Sequence, residues 1–339
     1  METHRKRPLG RVCLMALALA ALFLLSFVWG RYDVPLGEVV RILLSRLFPL
    51  TQTWTDNMAI AVHNVRLPRI LMACLVGCAL SAAGASYQTV FQNPMAAPDI
   101  LGASSGACFG AALAILLGQG SVMTTIFAFC FSLLTVVLVY LIGSRTRGSR
   151  VVSILLAGIM VGSLFSAGTS YIKLVADPAN QLPQITYWLM GSLSGTRLKT
   201  VGFAAACMAV GLVPLLLLLR WRMNLLTLSP DEARSMGVNT DRIRLAVILC
   251  ATVLTAASVS VSGMIGWVGL VIPHLSRRIV GNDCRYLLPM SMVFGAGFLL
   301  LVDDLARCLT AVEIPIGILT AFVGAPFFVY LMVKGENRL

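Results

Sequence analysis

Charge is scarce in this chain of 339 residues: Asp, Glu, Lys and Arg together make up 12% of it, about half the share found in an ordinary soluble domain. The scarcer sign is negative, with 14 acidic residues against 26 basic ones. Lysine is confined to Lys6, Lys173, Lys199 and Lys334, none of which follows a glycine, so the phosphate-cradling loop GxxxxGK[ST] is missing. Histidine is rarer still. His4 lies in the basic start, His63 between apolar runs, and His274 alone in VIPHLSRR, which leaves no ligand set at metal-site spacing. The nine cysteines form no CxxC, and Cys74 and Cys78, one helical turn apart, read as packing residues. Without a nucleophile paired to a base, or a metal set, no catalytic residue and no metal or other cofactor is expected in the chain. The basic surplus is not interleaved with aromatics, which excludes a nucleic-acid surface.

Long apolar runs fill the space that charge leaves. Hydrophobic residues make up 58% of the chain, and a helix needs roughly 20 of them in sequence to cross a hydrocarbon layer of about 30 Å. Charge-free runs extend over Val12 to Trp29, Ile70 to Phe91, Val151 to Ile172, Thr200 to Leu219, Tyr286 to Val302 and Ile314 to Val333. Two longer runs each divide into a pair. Ile100 to Ser144 breaks at Gly118-Gln119-Gly120-Ser121, and Leu245 to Ser276 breaks near Ser262-Gly263, where glycine permits a tight reversal. The expectation is an all-α integral membrane protein of about ten transmembrane helices, forming a single transmembrane domain over residues 1–339 in contact with the lipid bilayer.

The basic residues orient it. With ten spans and an inner N-terminus, 17 of the 26 Lys and Arg fall on the inner side, the bias expected of cytoplasmic loops. Both termini are then cytoplasmic. The apolar run beginning at Val12 is longer than the core of a typical signal peptide, and no small-residue cleavage site follows Trp29, so an uncleaved first helix is expected.

Several strings stand out within this pattern. RLPR at Arg66 to Arg69 leads into GCALSAAGASYQTVFQNPMAAPDILGASSGA from Gly77 to Ala107. Its small residues permit close helix approach, and Gly102, Gly106 and Gly110 make consecutive GxxxG steps. Asn93-Pro94 and Pro98 break the helix, which requires the freed backbone to face protein or water. Between the sixth and seventh runs lies a hydrophilic interval from Arg220 to Arg244. There Ser229 reads as an N-cap, Pro230 as the first helical residue, Asp231 and Glu232 as complements to the helix dipole, and Gly237 as the stop. Further on come GMIGWVGLVIPHLSRRIVGND at Gly263 to Asp283, GAG at Gly295 to Gly297, DDLAR at Asp303 to Arg307, and EIPIGILTAFVGAPFF at Glu313 to Phe328.

In this order, together with LLAGI at Leu155 to Ile159 and YWLMGSLSG at Tyr187 to Gly195, these strings resemble the FecCD permeases, from about Val34 to Val333. Those are the membrane subunits of type II importers driven by ATP-binding cassettes, which carry iron-siderophores, haem or cobalamin. The resemblance implies the type II importer permease fold in a bacterial inner membrane, working as a homodimer. It also implies two separate ATPase subunits inside, which bind the ATP and Mg, and a substrate-binding protein outside. An iron-siderophore, the commonest cargo of the family, is the expected substrate, with haem or cobalamin as alternatives.

The resemblance also implies site roles. The segment around 226–240 becomes the piece that couples to the ATPase, through Ser229, Pro230, Asp231, Glu232, Ala233, Arg234, Ser235, Met236 and Gly237. Arg66, Arg69 and Arg307 become docking residues for carboxylates of the binding protein, a task suited to the planar guanidinium fork. Arg307 has a competing use, because Asp303 and Asp304 precede it by four and three residues on one helix face. A cytoplasmic gate falls on Asn93, Pro94 and Met95 and on the loop Ser144 to Ser149, including Thr146 and Ser149. An ion-coupled secondary transporter is the rival from another class. It normally buries an ionisable residue near the bilayer centre, whereas Asp303, Asp304 and Glu313 are expected near the outer end.

Overall fold

The structure, a computed structural model, describes residues 2–30, 32–46, 48–49, 51–146, 150–227, 232 and 237–335. Among these residues there is no strand. The principal helices in chain order are α1 (Glu2–Ser26), α2 (Leu36–Leu44), α3 (Asp56–Val90), α4 (Ala103–Leu116), α5 (Ser121–Arg145), α6 (Arg150–Val175), α7 (Gln181–Leu189), α8 (Leu198–Leu219), α9 (Thr240–Ser262), α10 (Val268–Val280), α11 (Cys284–Cys308) and α12 (Ile316–Gly335). Seven of these, α1, α3, α5, α6, α8, α9 and α11, are long and apolar enough to span a bilayer. The other three expected spans are α4, α10 and α12, with 14, 13 and 20 helical residues.

The breaks fall where glycine was read as the reversal. Gly118 adopts φ +68° between α4 and α5, and Gly263 adopts +69° just past α9. Gly102, at +72°, ends the 3₁₀ turn Pro98–Leu101 and lets α4 begin. Trp267 also has φ +71°, an unusual conformation for a bulky side chain, and its ring lies 6.3 Å from that of Phe328 on α12.

Helix α3 is the central post, with 78% of its apolar window buried. It packs against α8, α9, α10 and α11. Small residues explain the closeness of these contacts, since lipid offers no hydrophobic drive to helix association and close backbone packing must supply it. A Cβ at Gly84 would lie 1.8 Å from the carbonyl oxygen of Gly269 on α10, and one at Gly77 would lie 2.2 Å from that of Gly295 on α11. The GxxxG face of α4 meets α5 in the same way, with a Cβ at Gly110 falling 2.4 Å from the Phe127 oxygen. Tyr87, wholly buried, shares a hydrogen bond of 3.0 Å with Thr252 of α9.

At the end to which the charge bias assigns the outside, backbone bonds tie three segments together. Ser192 N–H donates to Ser262 O (2.8 Å), Ile316 N–H to Gly191 O (2.9 Å) and Gly317 N–H to Met190 O (3.2 Å). Before α7, Asp177 accepts from Asn180 Nδ2 (2.8 Å) and from the Ala179 N–H (3.1 Å). These bonds hold its exposed carboxyl below the usual range.

Candidate functional site

Two clusters of polar groups stand out at opposite ends of the helices. The outer one gathers the three arginines that sequence reading singled out, but buries them. Arg66, Arg69 and Arg307 are 4%, 6% and 7% exposed. The reason is local. No loop interrupts the chain at RLPR: a π-helical turn over Ala61–Arg66 passes directly into the α-helical stretch Leu67–Val90, whose second residue is Pro68. Arg66 and Arg69 therefore project from a packed helix.

Each guanidinium spends its donors inside the chain. Arg69 Nε donates to both Asp303 oxygens at 3.0 Å, and its Nη1 to both Glu313 oxygens at 2.9 Å. Arg307 bonds Asp304, its neighbour one turn back, through Nε at 3.2 Å, and bonds Ser26 Oγ and O of α1 at 2.8 and 2.6 Å. Ser26 Oγ in turn donates to Asp304 Oδ1 at 2.6 Å. Arg66 donates to the carbonyls of Phe27 and Tyr32 and lies over Gly30, where a Cβ would meet Nη2 at 2.9 Å. The cluster thus joins the ends of α1 and α11 and the segment before α12 to the body of α3. Removing one partner from such a pair leaves an uncompensated charge away from water, so the members hold one another in place. Glu313 is the most open of them, its side chain 28% exposed.

The inner cluster surrounds the end of α3. Gln92, with φ +50°, turns the chain out of the helix, and Asn93 Oδ1 accepts from the Met95 N–H at 2.9 Å. Asn93, Pro94 and Met95 are all exposed. Thr146 is exposed at the end of α5, where its hydroxyl bonds Gly143 O at 2.9 Å. Ser149 lies outside the described residues.

The chain entering the hydrophilic interval is anchored by residues that sequence reading missed. Gln92 Nε2 donates to Leu226 O. Asn224 bridges to α11, its Nδ2 donating to Asp283 Oδ1 at 2.8 Å and its Oδ1 accepting from the Cys284 N–H at 2.9 Å. One turn back on α3, Gln88 donates to Leu270 O at 3.1 Å and accepts from Arg277 of α10. The available signal was the pair Gln88 and Gln92, four residues apart where the apolar run ends. Of the segment expected to couple to an ATPase, Ser229, Pro230, Asp231, Ala233, Arg234, Ser235 and Met236 lie outside the described residues. Glu232 is helical and exposed, and Gly237 has φ +71°, the left-handed conformation expected of a residue just past a helix. Among the described residues no group of His, Cys, Asp and Glu could hold a metal ion.

Comparison with known proteins places this architecture. The FecCD transport family model matches residues 18–334. The molybdate import system permease MolB of Haemophilus influenzae is 38% identical over 326 residues, covering 94% of both chains. A probable iron chelatin transport permease of Helicobacter pylori is also 38% identical, over 94% of this chain and 97% of that one. A solved structure described as an inward-facing, metal-chelate type ABC transporter superposes with a TM-score of 0.86 at 36% identity, covering 96% of this chain and 99% of that one.

Proposed function

The chain belongs to the FecCD transport family, and on that footing we propose that it is the permease of an ATP-driven importer that passes an iron-siderophore inward through a bacterial inner membrane. The observation that carries this reading is the likeness to the metal-chelate type transporter along almost the whole length of the chain. Relatives of equal identity are named for molybdate and for an iron chelate, so identity does not choose the cargo. The preference for a siderophore rests on its frequency in the family, and haem and cobalamin follow it.

In this reading the protein is a homodimer with two ATPase subunits inside and a binding protein outside. The chain carries no nucleotide loop of its own, so hydrolysis belongs to those partners. The segment 226–240 transmits their closure. Its root is bonded to the gate loop through Gln92 and Leu226 and to α11 through Asn224 and Asp283, a direct route from the coupling segment to Asn93, Pro94 and Met95.

The docking role of Arg66, Arg69 and Arg307 takes a particular form. Because each guanidinium is already held by its own chain, a carboxylate of the binding protein must enter beside Glu313, the exposed member, and share or replace its bonds to Arg69. Stable co-purification of two copies of this chain with two ATPase copies, and ATP hydrolysis stimulated by the binding protein, is the expected result. A chain that assembles with no ATPase overturns the reading in favour of a carrier driven by an ion.

A further inference from the structure

Helix α9 lies between α5 and α8 and packs against both. At their outer ends the three helices leave a cavity of about 730 Å³, closed on one side by α7. Of the polar contacts described above, only the backbone bond from Ser192 N–H to Ser262 O borders it. We infer that this cavity is a binding site for the headgroup of an anionic phospholipid, with Arg197 and Lys199 as the residues that select its phosphate.

Charge is the first ground. Arg197 and Lys199 flank the start of α8, both are exposed, and among the described residues no Asp or Glu lines the cavity. Neither cation takes part in an ion pair among the described residues, in contrast to Arg69 and Arg307 at the same end of the protein. Two cations facing a shared space without a counter-charge favour an anionic occupant, and the hydroxyls of Ser121 and Thr200, which line the same cavity, are further donors.

The apolar wall decides which kind of anion. Val122, Ile126 and Phe203 line the same cavity and remain 71%, 41% and 55% exposed. They sit at or within one turn or so of the starts of α5 and α8, two spanning helices, so the cavity opens toward the hydrocarbon layer as well as toward water. A small hydrophilic anion gains nothing from such a wall. An amphiphile with a phosphate at one end and acyl chains at the other matches both halves. Tyr187 and Trp188 of α7 complete the lining, and such rings settle at the level of lipid headgroups.

Each basic residue near a lipid surface is worth roughly a five-fold factor in affinity for an anionic lipid, so the pair contributes about 30-fold. The test uses the purified full-length chain in detergent, stripped of lipid and titrated with phosphatidylglycerol, with phosphatidylcholine of the same chain length, and with inorganic phosphate. Bound lipid is counted by native mass spectrometry. The wild type is expected to retain phosphatidylglycerol in preference to phosphatidylcholine. Arg197→Gln with Lys199→Gln should lower the affinity for phosphatidylglycerol about 30-fold and leave that for phosphatidylcholine unchanged. Arg197→Lys with Lys199→Arg should keep the preference, as should Arg145→Gln at the far end of α5. Should the neutral pair fail to fold, Phe203→Ser provides the second probe, weakening lipid retention by removing the apolar wall while both cations remain. Equal retention of the two lipids by the wild type, undiminished affinity in a folded neutral pair, or displacement of the lipid by inorganic phosphate at equal concentration would each overturn the assignment. So would a ferric siderophore that competes for the same residues, because it would make the cavity a cargo site.

Discussion

Arg69 is bound to two carboxylates whose surroundings differ, and the difference sets a measurable order. Asp303 is fully buried, and Arg69 itself is 6% exposed, so solvent does little to screen the contact at 3.0 Å. Truncation by Asp303→Ala leaves the guanidinium with Glu313 alone, and loss of one partner from a buried pair costs about 3 to 5 kcal/mol. Retention of Glu313 places the expected loss near the lower end, at about 3 kcal/mol. Glu313, with 28% of its side chain exposed, is partly screened, and Glu313→Ala is expected to cost about 1 kcal/mol. Replacing the cluster by apolar residues of similar size, Arg69→Met with Asp303→Leu and Glu313→Met, should recover most of the loss, because no charge is then left unpaired. The assay is reversible denaturant unfolding in mixed micelles, followed by far-UV circular dichroism. If Glu313→Ala proves as damaging as Asp303→Ala, the argument from burial is refuted, and the outer rim carries the pair's energy instead.

Packing supplies a second contrast. Gly84→Val must part α3 from α10 by about 1.6 Å or more to bring the 1.8 Å approach to ordinary contact, and should cost at least about 1 to 3 kcal/mol, read as lost folded yield after extraction. Gly202→Ala on α8 meets nothing within 4 Å and should instead stabilise by about 0.5 to 1 kcal/mol. At the inner end, Asn224→Ala removes both bonds to α11; in the assembled transporter we expect ATP hydrolysis to persist while cargo moved per ATP falls several-fold, and unchanged coupling would remove Asn224 from the transmission route.

The fold was legible where local chemistry determined it. Glycine at 118–120 and at Gly263 placed the reversals, and the small residues of α3 and α4 marked the faces that pack most closely. Partners distant in the chain were not legible. Arg69 meets Asp303 across 234 residues, and no pattern around RLPR discloses that the helix begins at Asp56 and turns this motif inward. Arg307 was legible in half: Asp304 lies one turn away, but Ser26 lies 281 residues away. The short helices α2 and α7 lie in stretches that sequence reading treated as connections, because neither is long or apolar enough to be read as a span. The root of the proposed coupling segment escaped notice for a similar reason, since Asn224 gains its meaning only from Asp283 and Cys284, which the fold brings to it.

The central claim is inward transport driven by ATP in partner subunits. Its most direct test is accumulation of a labelled ferric siderophore in proteoliposomes that contain this chain and its ATPase, with the binding protein added outside, beside parallel samples of haem, cobalamin and molybdate. The account predicts accumulation of one of these, the siderophore first, that requires both ATP and the binding protein. Accumulation driven by a proton or sodium gradient without ATP would contradict it.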